Sequence, residues 1–287
     1  MADQAQRLRE MMWNARNTAR VIAVTSGKGG VGKTSTSVNL AITLAAMGRR
    51  VIVIDADLGL ANVEVLMGLG SMYNLEQVIE GERRMKDILV RAPGGIQVVP
   101  GSSGLAKIAD LTAAGRDNVL AGLRDIQGEA DFIIIDTMAG IGRNAVAFAT
   151  AADEVVLVTT PEPSSIVDAY AMLKTIHANR ENAVIRLLVN MTASQEQAKA
   201  VASKLSGVSQ NYLGKNLAFL GFLPRDPHVS QAVMQSQPFT LAYPNCPAAK
   251  FMQVVANRLA HQPVAAEPSQ GGFLKRFARN FGLASNG

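Results

Sequence analysis

The chain has 287 residues, 48% of them hydrophobic and 18% charged, a balance that suits one large or two small globular domains and excludes disorder as the main state. A single cysteine, Cys246, excludes an intramolecular disulfide framework and any multi-cysteine metal cluster within one chain, and three scattered histidines offer no metal-ligand spacing. The net charge of +5 belongs to the ends: residues 1–20 carry four Arg against Asp3 and Glu10, residues 273–287 carry Lys275, Arg276 and Arg279 with no acid, and the body between them holds 21 basic and 21 acidic residues. A neutral body is a poor general nucleic-acid surface. No signal-peptide pattern opens the chain and no window reaches the roughly 18 apolar residues of a spanning helix, so a cytoplasmic protein is expected.

In chain order, residues 3–15 read as a short amphipathic helix. Asp3 can cap it with Gln6 as its capping-box partner, and Ala5, Leu8, Met12 and Ala15 share one face. From residue 21 onward apolar runs alternate with helical patterns. The runs are 21–26, 50–55, 96–101, 131–136, 154–160, 183–190 and 217–224, and helices are expected at 34–47, 115–127, 164–178 and 194–205. Several runs are apolar throughout, as in strands covered on both sides. The pattern predicts an α/β fold with a mostly parallel central sheet and helices on both faces. Residues 261–272 form a Pro/Gly/Ser/Gln linker. Beyond it, in 273–287, Phe273, Leu274, Phe277 and Phe281 fall on one helical arc and Lys275, Arg276 and Arg279 on another, the pattern of an interfacial helix on anionic lipid.

Three strand ends carry the chemistry. Gly27-Lys28-Gly29-Gly30-Val31-Gly32-Lys33-Thr34 matches GxxxxGK[ST] between a strand and an amphipathic helix, and Ser35 follows in the first helical turn. Glycines let successive amides turn inward around phosphates, and the helix N-terminus adds partial positive charge. Lys33 then reaches the β- and γ-phosphates while Thr34 ligates Mg²⁺. The second strand ends in Asp55-Ala56-Asp57 and another in Asp136; carboxylates at the C-terminal ends of parallel strands face the ligand crevice, where they can hold Mg²⁺ and orient an attacking water. Gly140 and Gly142 allow a mobile loop that senses the γ-phosphate.

With Lys28 at its second position, KGGVGKT resembles the deviant phosphate loop of the MinD/ParA class of P-loop ATPases. VIDADLGLANVEVLMGL (53–69) and DTMAGI (136–141) strengthen that resemblance over about residues 21–260. It implies hydrolysis of ATP to ADP with Mg²⁺ and a nucleotide-sandwich homodimer formed with ATP. Lys28 would be the signature lysine reaching the partner's ATP, Asp57 would position the water, and Asp55 and Asp136 would serve Mg²⁺. Asn190 and Pro224-Arg225-Asp226 match the class's adenine-holding positions. Met138 departs from the small residue or Pro usual there, which bears on the shape of switch II.

Within the class, DQAxxLR at residues 3–9 resembles the segment by which the FlhG branch activates the GTPase FlhF, with Gln4 delivering the side-chain amide and Leu8 on the docking face. That branch sets flagellar number and placement, and its resemblance implies links to flagellar basal-body or transcription-regulator proteins. The expected organisation is an activating segment (1–20), an ATPase domain (21–260), a linker (261–272) and a helix (273–287) that holds the ATP dimer on the inner face of the cell membrane. The alternatives are a MinD-type division-site regulator and a ParA-type DNA-partition ATPase.

Overall fold

The computed structural model describes residues 19–57, 62–101, 112–262 and 272–283. The chain runs β1 (Arg20–Ser26), α1 (Lys33–Ala46), β2 (Val51–Ala56), α2 (Asn62–Met67), α3 (Leu75–Ile79), β3 (Val90–Arg91), β4 (Gln97–Val99), α4 (Ala113–Gln127), β5 (Phe132–Ala139), α5 (Arg143–Ala151), β6 (Glu154–Thr159), α6 (Pro163–Asn179), β7 (Ile185–Thr192), α7 (Gln195–Leu213), β8 (Ala218–Pro224), α8 (Pro227–Met234), α9 (Phe239–Ala242), α10 (Pro247–His261) and α11 (Phe273–Asn280).

Eight strands form one sheet in the order β3-β4-β2-β5-β1-β6-β7-β8. All pairs are parallel except β3 with β4, where the two-residue β3 closes the edge. The uninterrupted apolar runs explain the layering. β1, β2, β5 and β6 are buried along nearly their whole length, with side chains alternating into two cores. One core lies under α4 to α7, the other under α1 and α10. Strand order turns at β1, so the loops after β1, β2 and β5 open on a common crevice, as open α/β sheets require.

At the opposite edge, where β1 and β6 begin, Glu154 is fully buried between Arg20 and Arg186, and Arg186 also reaches the side chain of Gln262. Arg20 further donates to the carbonyls of Leu259 and Gln262 at 2.7 and 3.1 Å. A carboxylate with no exposure persists only when paired and hydrogen-bonded, and two guanidinium groups supply both conditions.

The C-terminal helix forms where its periodicity predicts it, but its apolar face turns inward. Phe273, Phe277 and Phe281 are buried, packing with Phe148 of α5, whose ring lies 5.7 Å from Phe277 and 5.0 Å from Phe281. Arg276, expected among lipid headgroups, is instead inside, donating to the Ala151 carbonyl at 2.8 Å and to Asp153 at 2.5 Å. Leu274 is half-buried, and of the expected lipid-facing set Lys275 and Arg279 alone remain exposed. The docking has a simple cause: this side of the core has an apolar recess between α3, α4 and α5, and three aromatic rings fill it more favourably than water would. No helix among the described residues is long and apolar enough to cross a membrane.

Candidate functional site

The loop after β1 wraps the N-terminus of α1. Two of its glycines are required by contact. A Cβ on Gly27 would lie 2.0 Å from the Asp168 carbonyl of α6, and one on Gly32, where φ is 84°, would lie 2.4 Å from the Asn190 amide nitrogen. A cleft of about 370 Å³ opens above them, lined by Gly29, Gly30, Lys33, Thr34, Ser35 and Asp57 among others. Its size suits a nucleotide.

Asp136, at the end of β5, is the electrostatic centre of this cleft. It has no exposed surface, and burial pushes its carboxyl above the ordinary carboxylate range, opposed by the Lys33 ammonium and neighbouring hydroxyls. Lys33 pairs with Oδ1 at 3.3 Å, Thr34 donates to Oδ2 at 2.6 Å and Ser37 to Oδ1 at 2.8 Å. The carboxylate thus sits directly behind the Thr34 hydroxyl, which it orients. Asp55, on the neighbouring strand and in register with Asp136, accepts from the amides of Asp57 and Val63 at 3.1 Å each. Burial, with the Asp136 charge beside it, pushes its carboxyl up to about 7. Two buried carboxylates this close favour a divalent cation between protein and phosphates. The donor set of one Thr hydroxyl and two carboxylates fits Mg²⁺, an oxygen-seeking ion that keeps several of its own waters.

Asp57 lines the cleft at the end of β2, its Oδ2 accepting from Asn62 at 2.9 Å. Lys28 also lines the cleft, and its ammonium donates to Glu162 at 2.9 Å and to the Ser164 hydroxyl at 2.8 Å, at the start of α6. Asn190, near the end of β7, spends its amide on the Val31 carbonyl at 2.8 Å and accepts from its neighbour Met191, so β7 is tied to the phosphate loop. The carboxylate of Asp226, matched to an adenine-holding position, caps two helices. Oδ1 accepts from the His228 amide and ring, and Oδ2 from the Ala248 amide, capping α8 and α10. Pro224 ends β8 and Arg225 follows it, its amide donating to the Thr192 carbonyl at 2.8 Å. Met138 is half-buried against the core, and Gly140 of the loop behind it donates to the Ser26 carbonyl at 2.8 Å.

Four contributors escaped the sequence reading: Glu162 and Ser164, which hold Lys28, Ser37 behind Asp136, and Asn62 on Asp57. Glu162 follows the C-terminal end of β6, the signal that marked Asp55 and Asp136, and could have been found by it. Gln4 and Leu8, residues 58–61, and most of the 261–272 linker lie outside the described residues.

With this geometry in place, the comparisons with known proteins become specific. The AAA domain profile matches residues 19–189. The chain is 41% identical over 249 residues to "Antiactivator FleN" of Pseudomonas aeruginosa, covering 87% of this chain and 89% of the relative. It is 32% identical to "Flagellum site-determining protein YlxH" of Helicobacter pylori, covering 98% and 100%. Among solved structures, MinD in the MinC:MinD cell division complex of Aquifex aeolicus superposes with a TM-score of 0.68 at 27% identity, covering 87% and 98%. Phosphate loop, paired carboxylates and full-length similarity agree: the chain is an ATPase of the MinD/ParA family and belongs to its FleN/FlhG branch.

Proposed function

We propose that this ATPase sets the number and placement of flagella by cycling between an ADP-bound monomer and an ATP-bound homodimer on the membrane. The observation that supports this reading best is the stance of Lys28. Its ammonium rests on an exposed Glu162, a weak partner from which a second copy's nucleotide could draw it across. Exposed Val65, Val233 and Met234 beside the cleft supply an apolar rim for that second copy. In the dimer Lys33 and the loop amides hold the phosphates and Thr34, oriented by Asp136, holds Mg²⁺. Asp55 shapes the ion's other side, and Asp57, fixed by Asn62, orients the hydrolytic water. The bound ion supplies charge neutralisation at the γ-phosphate.

Two further parts complete the proposal. The 1–20 segment stimulates an FlhF-type GTPase through Gln4 and Leu8. The α11 helix exchanges its recess on the body for anionic lipid, and two such helices on one ATP dimer gain from effective concentration. The central test is light scattering with ATP and with ADP: wild type should dimerise with ATP only, and Lys28→Ala should stay monomeric with both. A stable ADP dimer of Lys28→Ala would overturn the cycle. For the tail, wild type should pellet with anionic vesicles in ATP and a chain ending at Gly271 should not; for the N-terminal segment, a 1–20 peptide should accelerate GTP hydrolysis by FlhF and its Gln4→Ala form should do so less.

A further inference from the structure

Residues 33–50 and 227–262 contain no Asp or Glu, in a chain that has 23. The fold brings these two stretches together, because α10 packs along α1 and α9 touches both. Arg49 and Lys250 are exposed beside this face, whereas Arg258 lies on the other flank of α10, donating to the Leu220 carbonyl of β8. Arg50, beside them, is paired with Asp131.

A groove of about 300 Å³ opens in this face and shares no lining residue with the nucleotide cleft. Ile42, Ala46 and Met47 form one wall, and Ala249, Gln253 and Asn257 the other. Residues 42 and 46 on one helix and 249, 253 and 257 on the other recur every four positions, so two helix flanks lie side by side as a seat for a third helix. Leu241 and Val254, 41% and 44% exposed, add apolar surface at its margin. The far end of α1 lies roughly 20 Å from Lys33 at 1.5 Å per residue, so a ligand here stays clear of the phosphates.

We propose that this groove docks an acidic amphipathic helix from a partner protein, with its aliphatic residues between α1 and α10 and its carboxylates against Arg49 and Lys250. The charge pattern selects this occupant. A second copy seated face to face would set one acid-free surface against another, and the chain's own cationic α11 has the wrong sign. A nucleic-acid duplex would need many more cations and no apolar floor. The docking stands apart from the nucleotide cycle and does not depend on the role assigned to Lys28.

The test is fluorescence anisotropy on the full chain, using a labelled helical peptide of about 18 residues with Leu at i, i+4 and i+7 and flanking Glu, and a twin with Lys in place of Glu. The acidic peptide should bind at least about tenfold tighter than its twin and weaken as salt rises. Lys250→Glu and Leu241→Asp should each weaken it about tenfold while melting temperature and ATP hydrolysis hold, since both side chains are exposed. Equal binding of the two peptides, or affinity indifferent to both substitutions, would overturn the proposal. So would a change in oligomeric state caused by either substitution, or preferential capture of a DNA duplex by the same face.

Discussion

Lys28 and Arg276 each spend their charge inside the chain, at opposite edges of the sheet, and the two pairs differ in depth. Lys28 rests on Glu162 with side-chain exposures of 37% and 62%. Such a pair contributes at most about 1 kcal/mol, so a passing phosphate can take the lysine away. Arg276 is 5% exposed, bonded to a carbonyl as well as to Asp153, and travels with three buried phenylalanines. Each ring contributes roughly 1.5–3 kcal/mol relative to exposure in water. Nucleotide can therefore move the first latch alone, whereas the second opens only where something apolar receives the rings. On the proposed cycle lipid would do so at little net cost, because an acyl environment and a protein core are alike for a phenyl group.

The largest test of this contrast is Phe277→Asp. A charge placed among Phe148, Phe273 and Phe281 should destabilise the docked protein by about 5 kcal/mol, read by urea unfolding; a loss below about 1 kcal/mol would mean the recess holds nothing important. Next comes Asp55, whose carboxyl is raised to about 7 in the fold from an ordinary 3.8. Its protonated form stabilises the nucleotide-free protein fully below about pH 4, and that contribution disappears as pH rises through 7. Wild type should lose a few kcal/mol relative to Asp55→Asn between pH 5 and 8. Parallel pH profiles would remove the shift.

Asp57→Ala should retain ATP while turnover falls at least about a hundredfold, close to 3 kcal/mol in the barrier. A wild-type rate would take the water from Asp57. The smallest effect belongs to the exposed latch: Glu162→Gln should favour the ATP dimer by no more than about fivefold, as expected for losing under 1 kcal/mol. A shift of a hundredfold would show that Lys28 is held as firmly as Arg276.

The sheet and its phosphate loop were legible because both are written locally. The apolar runs ending in Asp55 and Asp136 predicted β2 and β5 to within a few residues, and the loop glycines announced their own conformation. The two-residue β3 carries no period to read and exists because β4 needs an edge partner. The helix at 273–280 was legible as a helix, but amphipathicity says only that one face avoids water. Whether lipid or Phe148 covers that face depends on a recess built by residues 54 to 148, which no local pattern reveals. The same limit applies to Asp226: the family resemblance suggested an adenine contact, while the partners of its carboxylate at residues 228 and 248 come from packing.

The buried clamp of Arg20 on Glu154 and on the carbonyls of Leu259 and Gln262 has a mechanical consequence. Arg20 stands at the start of the described body and Gln262 at the end of α10, so the clamp ties those two points of the chain directly together. Tension between something held at one end and something held at the other passes through one arginine and two carbonyls. Arg20 is also the first residue of β1, whose other end carries the phosphate loop, so such tension acts at the foot of the strand that holds the nucleotide site.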